Sequence, residues 1–266
     1  MHELKILRPD QWEAGGIITP QLEQEPACLA CRDTGIVVSG ACAEPCRCRV
    51  DTTKRDRLAA AVDSIPPSYR HCKRSDWRND WWPWPDAFNG WAEVAKAPKA
   101  ADTPWCLIAL GKGTGAGKTH ALTSVYREMA QELPNPARAI WIDVPTALRF
   151  MFEEWEERDR CKAAREPYQG GDTRRDLHEA PLVLLDEWGC ERADKGGKAN
   201  GFVTHWLVSI VLYRFTWRLP TLISTNFEDI MQFDRYEPRL TSRLGEGGHW
   251  HVFAGKDRRI HTPGGK

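Results

Sequence analysis

The chain has 266 residues, enough to bury a substantial core as one large domain or as a core domain with a small module. Its 37 Lys and Arg balance 37 Asp and Glu, so no net field argues for nucleic acid and any such contact must rest on a local patch. No apolar run approaches bilayer length, and the first ten residues carry charges and a proline instead of an apolar core, so the composition predicts a cytoplasmic protein with no membrane partner.

Residues 1–26 show no period and are left unassigned. Five of the nine cysteines then lie between Cys28 and Cys48. Cys28-x-x-Cys31 and Cys46-x-Cys48 flank a short apolar run at 36–38, a spacing that predicts a tetrahedral Zn²⁺ site on a small hairpin, with Gly35 in its tight turn. The second pair is tighter than usual, which leaves Cys42 and His71 as alternatives for one ligand. Residues 51–62 read as a charged helix broken at Pro66-Pro67. From Arg47 to Arg78 there are nine Lys or Arg against four Asp, a patch that reads equally as a solvated face or as a phosphate contact. Trp77, Trp81, Trp82, Trp84 and Trp91 follow, and are expected to anchor this segment on the neighbouring domain rather than to stack on single-stranded bases. The expected division is a zinc module at 1–76, a Trp- and Pro-rich linker packing on the core at 77–103, and a nucleotide domain at 104–266.

The nucleotide domain opens on an apolar run at 105–110, then Gly111-Lys-Gly113-Thr114-Gly115-Ala116-Gly117-Lys118-Thr119-His120, then a helical run to 133. A buried strand, a glycine-dense turn and Gly-Lys-Thr at a helix start describe a P-loop for ATP. Its glycines let backbone N–H groups wrap phosphate oxygens, Lys118 supplies charge to the β- and γ-phosphates, and Thr119 places a hydroxyl on Mg²⁺. Residues 113–120 are the expected cradle; Lys112 stands where the usual spacing has glycine.

Strand 139–143 and a helix starting at Pro145 come next. That helix is expected to face the core through Leu148, Met151, Phe152 and Trp155, with residues 165–175 as a loop after it. Pro181-Leu-Val-Leu-Leu-Asp186-Glu187 describes a buried parallel strand with acids at its tip, 68 residues after Lys118: Asp186 to hold Mg²⁺ and Glu187 to polarise the attacking water. A polar loop at 194–201 leads to a helix at 202–217, apolar on nearly every side. Strand 220–226 aims Asn226 at the γ-phosphate or the lytic water. Arg239 and Arg243 share one face of a short helix, placed to reach a neighbouring subunit's nucleotide, and a last strand at 250–254 precedes a basic tail at 256–266.

In this order the motifs Cys28-x-x-Cys31-x-Asp-Thr-Gly35, Cys46-x-Cys48, Ile65-Pro66-x-x-Tyr69, Gly-x-Gly-Lys118-Thr119, Asp186-Glu187-x-Gly189, Thr225-Asn226, Arg239-x-x-Ser242-Arg243-Leu244 and Gly255-x-Asp257-x-Arg259 resemble bacterial and phage helicase-loader ATPases of the DnaC and DnaI type. Transposition helpers of the IstB type share the core. The resemblance spans roughly residues 28–259. It implies an α/β P-loop NTPase of AAA+ type with a parallel sheet in the order 5-1-4-3-2. It also implies the absence of a helical lid, for which the 23 residues after Arg243 are too few. Asn226 becomes sensor 1 and Arg243 the arginine finger, with Arg239 the alternative; the zinc module grips the helicase. The implied partners are a DnaB-type replicative helicase, single-stranded DNA and further copies of the chain. Two competing functions remain: a transposition helper on duplex DNA, and a nucleotide-gated adaptor that barely hydrolyses ATP.

Overall fold

A computed structural model of the chain describes residues 28–31, 36–39, 42–77, 84–96, 104–190 and 201–254. The expectations for residues 1–27, the Gly35 turn, Trp81 and Trp82, the 97–103 connection, the loop at 194–200, and the tail with Gly255, Asp257 and Arg259 lie outside the described residues. Two compact units result, Met1–Thr52 and Thr53–Lys266.

The smaller unit holds an antiparallel hairpin of β1 (Ile36–Ser39) and β2 (Cys42–Pro45), in register from Ser39 opposite Cys42 to Ile36 opposite Pro45. Helix α1 (Arg47–Asp63) starts here and runs on past Thr52. The division thus falls earlier than residue 76. Ala61, Ile65, Phe88 and Trp91 are buried in one cluster with the strand residues Leu107 and Leu184, which makes the segment after 53 part of the larger unit.

That unit is built on five parallel strands: β3 (Cys106–Leu110), β4 (Ile140–Asp143), β5 (Val183–Trp188), β6 (Thr221–Thr225) and β7 (Gly248–Val252), side by side as β4-β5-β6-β3-β7. Counted within this sheet, the order is 5-1-4-3-2, as the sequence motifs imply. Every residue of β3 is buried because both sheet faces are covered. Its alternate side chains enter opposite cores. Cys106, Ile108 and Leu110 join the layer of α4 (Val144–Ala164), α6 (Gly201–Thr216) and α7 (Pro238–Gly245). Leu107 and Ala109 join that of α2 (Trp91–Lys96) and α3 (Lys118–Glu132). Within the second layer Trp91 is buried and Trp77 and Trp84 pack against the cluster, Trp77 edge-on to Trp84 with ring centroids 5.3 Å apart.

Three expectations change. On α4, Leu148 and Met151 are buried, but Phe152 and Trp155 are 40% and 52% exposed and meet Phe202 of α6 at ring distances of 4.5 and 6.5 Å instead of the core. A 21-residue helix is about 32 Å long, whereas strands of four to six residues span only about 13–20 Å, so its second half overhangs the sheet. Second, the loop after α4 is shorter than expected, because Asp172 caps α5 (Thr173–Glu179) by accepting from the Arg175 amide at 3.0 Å. Third, the helix read as apolar on nearly every side carries a fully buried cation, Arg214. Its guanidinium donates to the carbonyls of Leu177, Ala180 and Pro220 at 2.8, 2.8 and 2.7 Å and to Thr221 Oγ1 at 2.8 Å. Those bonds tie the end of α5 and the start of β6 to α6. Among the described residues no helix is long and apolar enough to cross a membrane, and none follows β7.

Candidate nucleotide site

Parallel strands bring the ends of β3, β5 and β6 to one edge of the sheet, where open α/β sheets bind ligands. Gly111, Gly115 and Gly117 take φ of +139°, +68° and +101° in the turn after β3, conformations that a side chain resists. At Gly111 a Cβ would strike the Phe253 carbonyl, so glycine is required one position before Lys112. Lys112 itself is exposed and pairs with Glu228 at 3.5 Å.

Lys118 is buried, and its Nζ donates to the carbonyls of Gly111 at 2.7 Å and Gly113 at 2.8 Å. Thr119 Oγ1 donates to Asp186 Oδ1 at 3.0 Å, and Ser224 Oγ donates to the same oxygen while accepting from the Glu187 amide at 3.0 Å. Burial pushes the Asp186 carboxyl up; the Ser224 and Thr119 hydroxyls oppose that, and the Glu187 charge adds to it. Next to it the β5–β6 register shifts between Leu185 and Trp188, and Glu187 stands exposed with φ +57°. That left-handed conformation is uncommon for a residue with a Cβ and turns Glu187 out of the strand, away from its buried neighbours. Gly189 follows at φ +93°, with Phe227 only 2.7 Å from where a Cβ would lie. Asn226, just past β6, donates to Cys190 Sγ at 3.4 Å.

A cavity of about 490 Å³ joins these groups: Thr114, Gly115, Ala116, Gly117, Lys118, Thr119, His120, Glu187, Ser224 and Asn226 line it. Ser68, Tyr69, His71, Cys72, Asp76 and Trp77 form a second wall, with Trp77 against Gly117 of the turn. The sequence reading missed Ser224, hidden in an apolar strand, and this second wall, whose signal was the Ile65-Pro66-x-x-Tyr69 motif. Arg239 and Arg243 are not among the lining residues. Arg239 pairs with Glu237; Arg243 donates to Glu246 at 2.6 Å and lies 4.9 Å over the Phe215 ring.

In the smaller unit the four sulfurs of Cys28, Cys31, Cys46 and Cys48 lie within 4.8 Å of one another, with Cys28–Cys46 at 3.7 Å and Cys31–Cys48 at 3.3 Å. Four thiols at this spacing fit a tetrahedral zinc ion, whose ~2.3 Å Zn–S bonds put sulfurs nearly 4 Å apart. Hydrogen bonding, first from the Cys31 backbone, holds the Cys28 thiol down to about 7. His71 is not needed to complete this set and belongs to a different cluster, with Cys72 and His120.

No protein-family profile matches the chain, nor does any curated protein sequence. Among solved structures it is similar to a protein described as a primosome component of Streptococcus pyogenes serotype M3, at 18% identity and TM-score 0.50, over 76% of this chain and 98% of that one. Structures of DnaI (19%, TM-score 0.48, 73% and 94%) and of the DnaC helicase loader (18%, TM-score 0.44, 61% and 86%) are also similar. At this identity the likeness speaks to fold. The chain has an α/β fold with five parallel strands, shared with these structures, and its smaller unit holds a cluster of four cysteines.

Proposed function

We propose that the chain is a Mg²⁺-dependent ATPase that loads a DnaB-type replicative helicase onto single-stranded DNA. The observation that carries this reading is the meeting of Lys118, Thr119, Glu187 and Asn226 at one cavity on the sheet edge, with Asp186 hydrogen-bonded to Thr119 and Ser224 behind it, in a fold shared with a primosome component. The loader motifs support the choice of helicase and single-stranded DNA.

In this reading residues 113–120 hold the phosphates, with the backbone amides of the turn and the N-terminus of α3 facing them. Thr119 and Asp186, already joined by a hydrogen bond, would hold the magnesium ion, which when bound neutralises phosphate charge. Glu187 stands beyond the buried carboxylate, free to orient and polarise water, and Asn226 is the polar sensor at the end of the neighbouring strand. Neither Arg239 nor Arg243 lines the cavity of its own chain. An arginine finger from this helix therefore acts on a second copy, which calls for a homo-oligomer when ATP is bound. Zinc held by Cys28, Cys31, Cys46 and Cys48 would fix the hairpin as the helicase grip.

The test mixes the full chain with the replicative helicase of the same genome and measures helicase capture and ATP turnover, with and without single-stranded DNA. ATP-dependent capture and DNA-stimulated turnover are expected. For Arg243→Ala we predict unchanged ATP binding but turnover lower by about 10³-fold, the scale of an arginine finger. Full turnover in that variant removes the finger role. Filaments on duplex DNA without helicase binding would favour the transposition-helper reading.

A further inference from the structure

Beside the P-loop, the cavity carries a second set of soft ligands. His71 and Cys72 are adjacent on the turn after the 3-10 helix Pro67–Tyr69, and His120 lies in the first turn of α3. One ligand atom from each falls within 4.8 Å of the others, with Cys72 Sγ 3.8 Å from His71 Nε2. The two imidazoles meet edge to face, at a ring distance of 6.1 Å and an angle of 70°, instead of stacking on each other.

Neighbouring contacts hold this geometry in place. Arg127, two turns along α3 from His120, donates to the carbonyls of Arg70 at 3.0 Å and Cys72 at 3.2 Å. The Cys72 amide donates to the Tyr69 carbonyl at 2.9 Å. The turn is thus clamped onto the helix that carries the third ligand. A His120 ring nitrogen lies 3.3 Å from the Lys73 carbonyl, the kind of outer contact that orients a metal-binding imidazole. Cys72 is buried, His120 half-buried and His71 exposed, so the cluster reaches from the protein interior to the open cavity.

We propose that His71, Cys72 and His120 bind a transition-metal ion of the zinc class at the mouth of the nucleotide cavity. Imidazole and thiolate are the donors such ions prefer, and three protein ligands leave a fourth position for water or a molecule in the cavity. Binding exchanges the thiol proton for a sulfur–metal bond: the Cys72 S–H breaks, Cys72 Sγ keeps the electron pair and donates it to M²⁺, and one H⁺ leaves to solvent. The site is separate from the four-cysteine cluster and shares only His120 with the residues proposed to hold the phosphates.

The experiment uses the metal-free full chain and Co²⁺ as the probe, counting bound ions per chain by equilibrium dialysis and recording the thiolate-to-cobalt absorption. His71→Ala, at an exposed position, and Cys72→Ser are each expected to lose one equivalent of Co²⁺ relative to the parent. The double variant Cys28→Ser/Cys31→Ser is expected to keep that equivalent, with absorption for one thiolate instead of five. Lys118→Ala should keep it too, so loss of nucleotide binding and loss of this metal are read separately. Equal cobalt counts in the parent and in both His71→Ala and Cys72→Ser overturn the proposal.

Discussion

The two units of this chain reach order by different means. Around the hairpin, Leu29 and Ile36 are 83% and 44% exposed, and the described side chains buried there are the sulfurs of Cys31 and Cys46. Around the sheet, hydrocarbon covers both faces, and a fully buried cation, Arg214, is met by four carbonyls and a hydroxyl. The described part of the hairpin unit buries little hydrocarbon, so the zinc ion proposed for its four cysteines would be its main support; the larger unit has area to spare and can bury polar groups where they position the site.

The sharpest way to break that contrast is to remove one sulfur. Cys31→Ser is predicted to unfold the hairpin, since structural zinc contributes on the order of 10–16 kcal/mol in small modules, while the sheet unit keeps its melting transition. Limited proteolysis between residues 28 and 48, read beside circular dichroism, checks both halves. If the sheet melts with the hairpin, the units do not stand on separate supports.

Arg214→Met is the converse experiment. It leaves buried carbonyls without donors at roughly 1–3 kcal/mol apiece, and a total loss of about 3–5 kcal/mol is expected in urea unfolding of the sheet unit. Zinc content of the hairpin should not change.

A smaller effect of opposite sign is expected at Asp186. Burial raises its pKa, so in the folded protein the ionised form is the disfavoured one, and Asp186→Asn should raise the melting temperature while abolishing magnesium-dependent turnover. The sign is checked by pH. As pH falls through the raised folded value toward the ordinary one, the parent takes up the proton that relieves its cost, and the gap between parent and variant should close. A gap that widens in acid would show that the hydrogen bonds from Thr119 and Ser224 outweigh burial.

Much of the sheet unit was legible because its signals are local and periodic. β3, the glycine turn and α3 follow one another without interruption, β5 and β6 are apolar runs that end in polar tips, and the strand order followed from the motifs. What was missed depends on distances the sequence does not show. Phe152 and Trp155 keep helical spacing with Leu148, yet the helix outruns the strands beneath it. Arg214 did not stand out in a helix read as apolar, because the carbonyls it meets lie elsewhere, at the end of α5 and the start of β6. Ser224 reads as strand filler until the fold sets it against Asp186. His71 was weighed as a spare ligand for the four cysteines, and its contact with His120, 49 residues away, appears only once α1 has ended and the chain has turned back onto α3.

The most direct test of the central claim is equilibrium binding of ATP, with Mg²⁺, to the parent chain and to Lys118→Ala. We predict saturable binding by the parent and affinity weaker by about 100-fold or more in the variant, the ~3 kcal/mol of a lost desolvated charge contact. Equal affinity in the two proteins, or no saturable binding by the parent, would contradict the assignment of this cavity to a magnesium nucleotide.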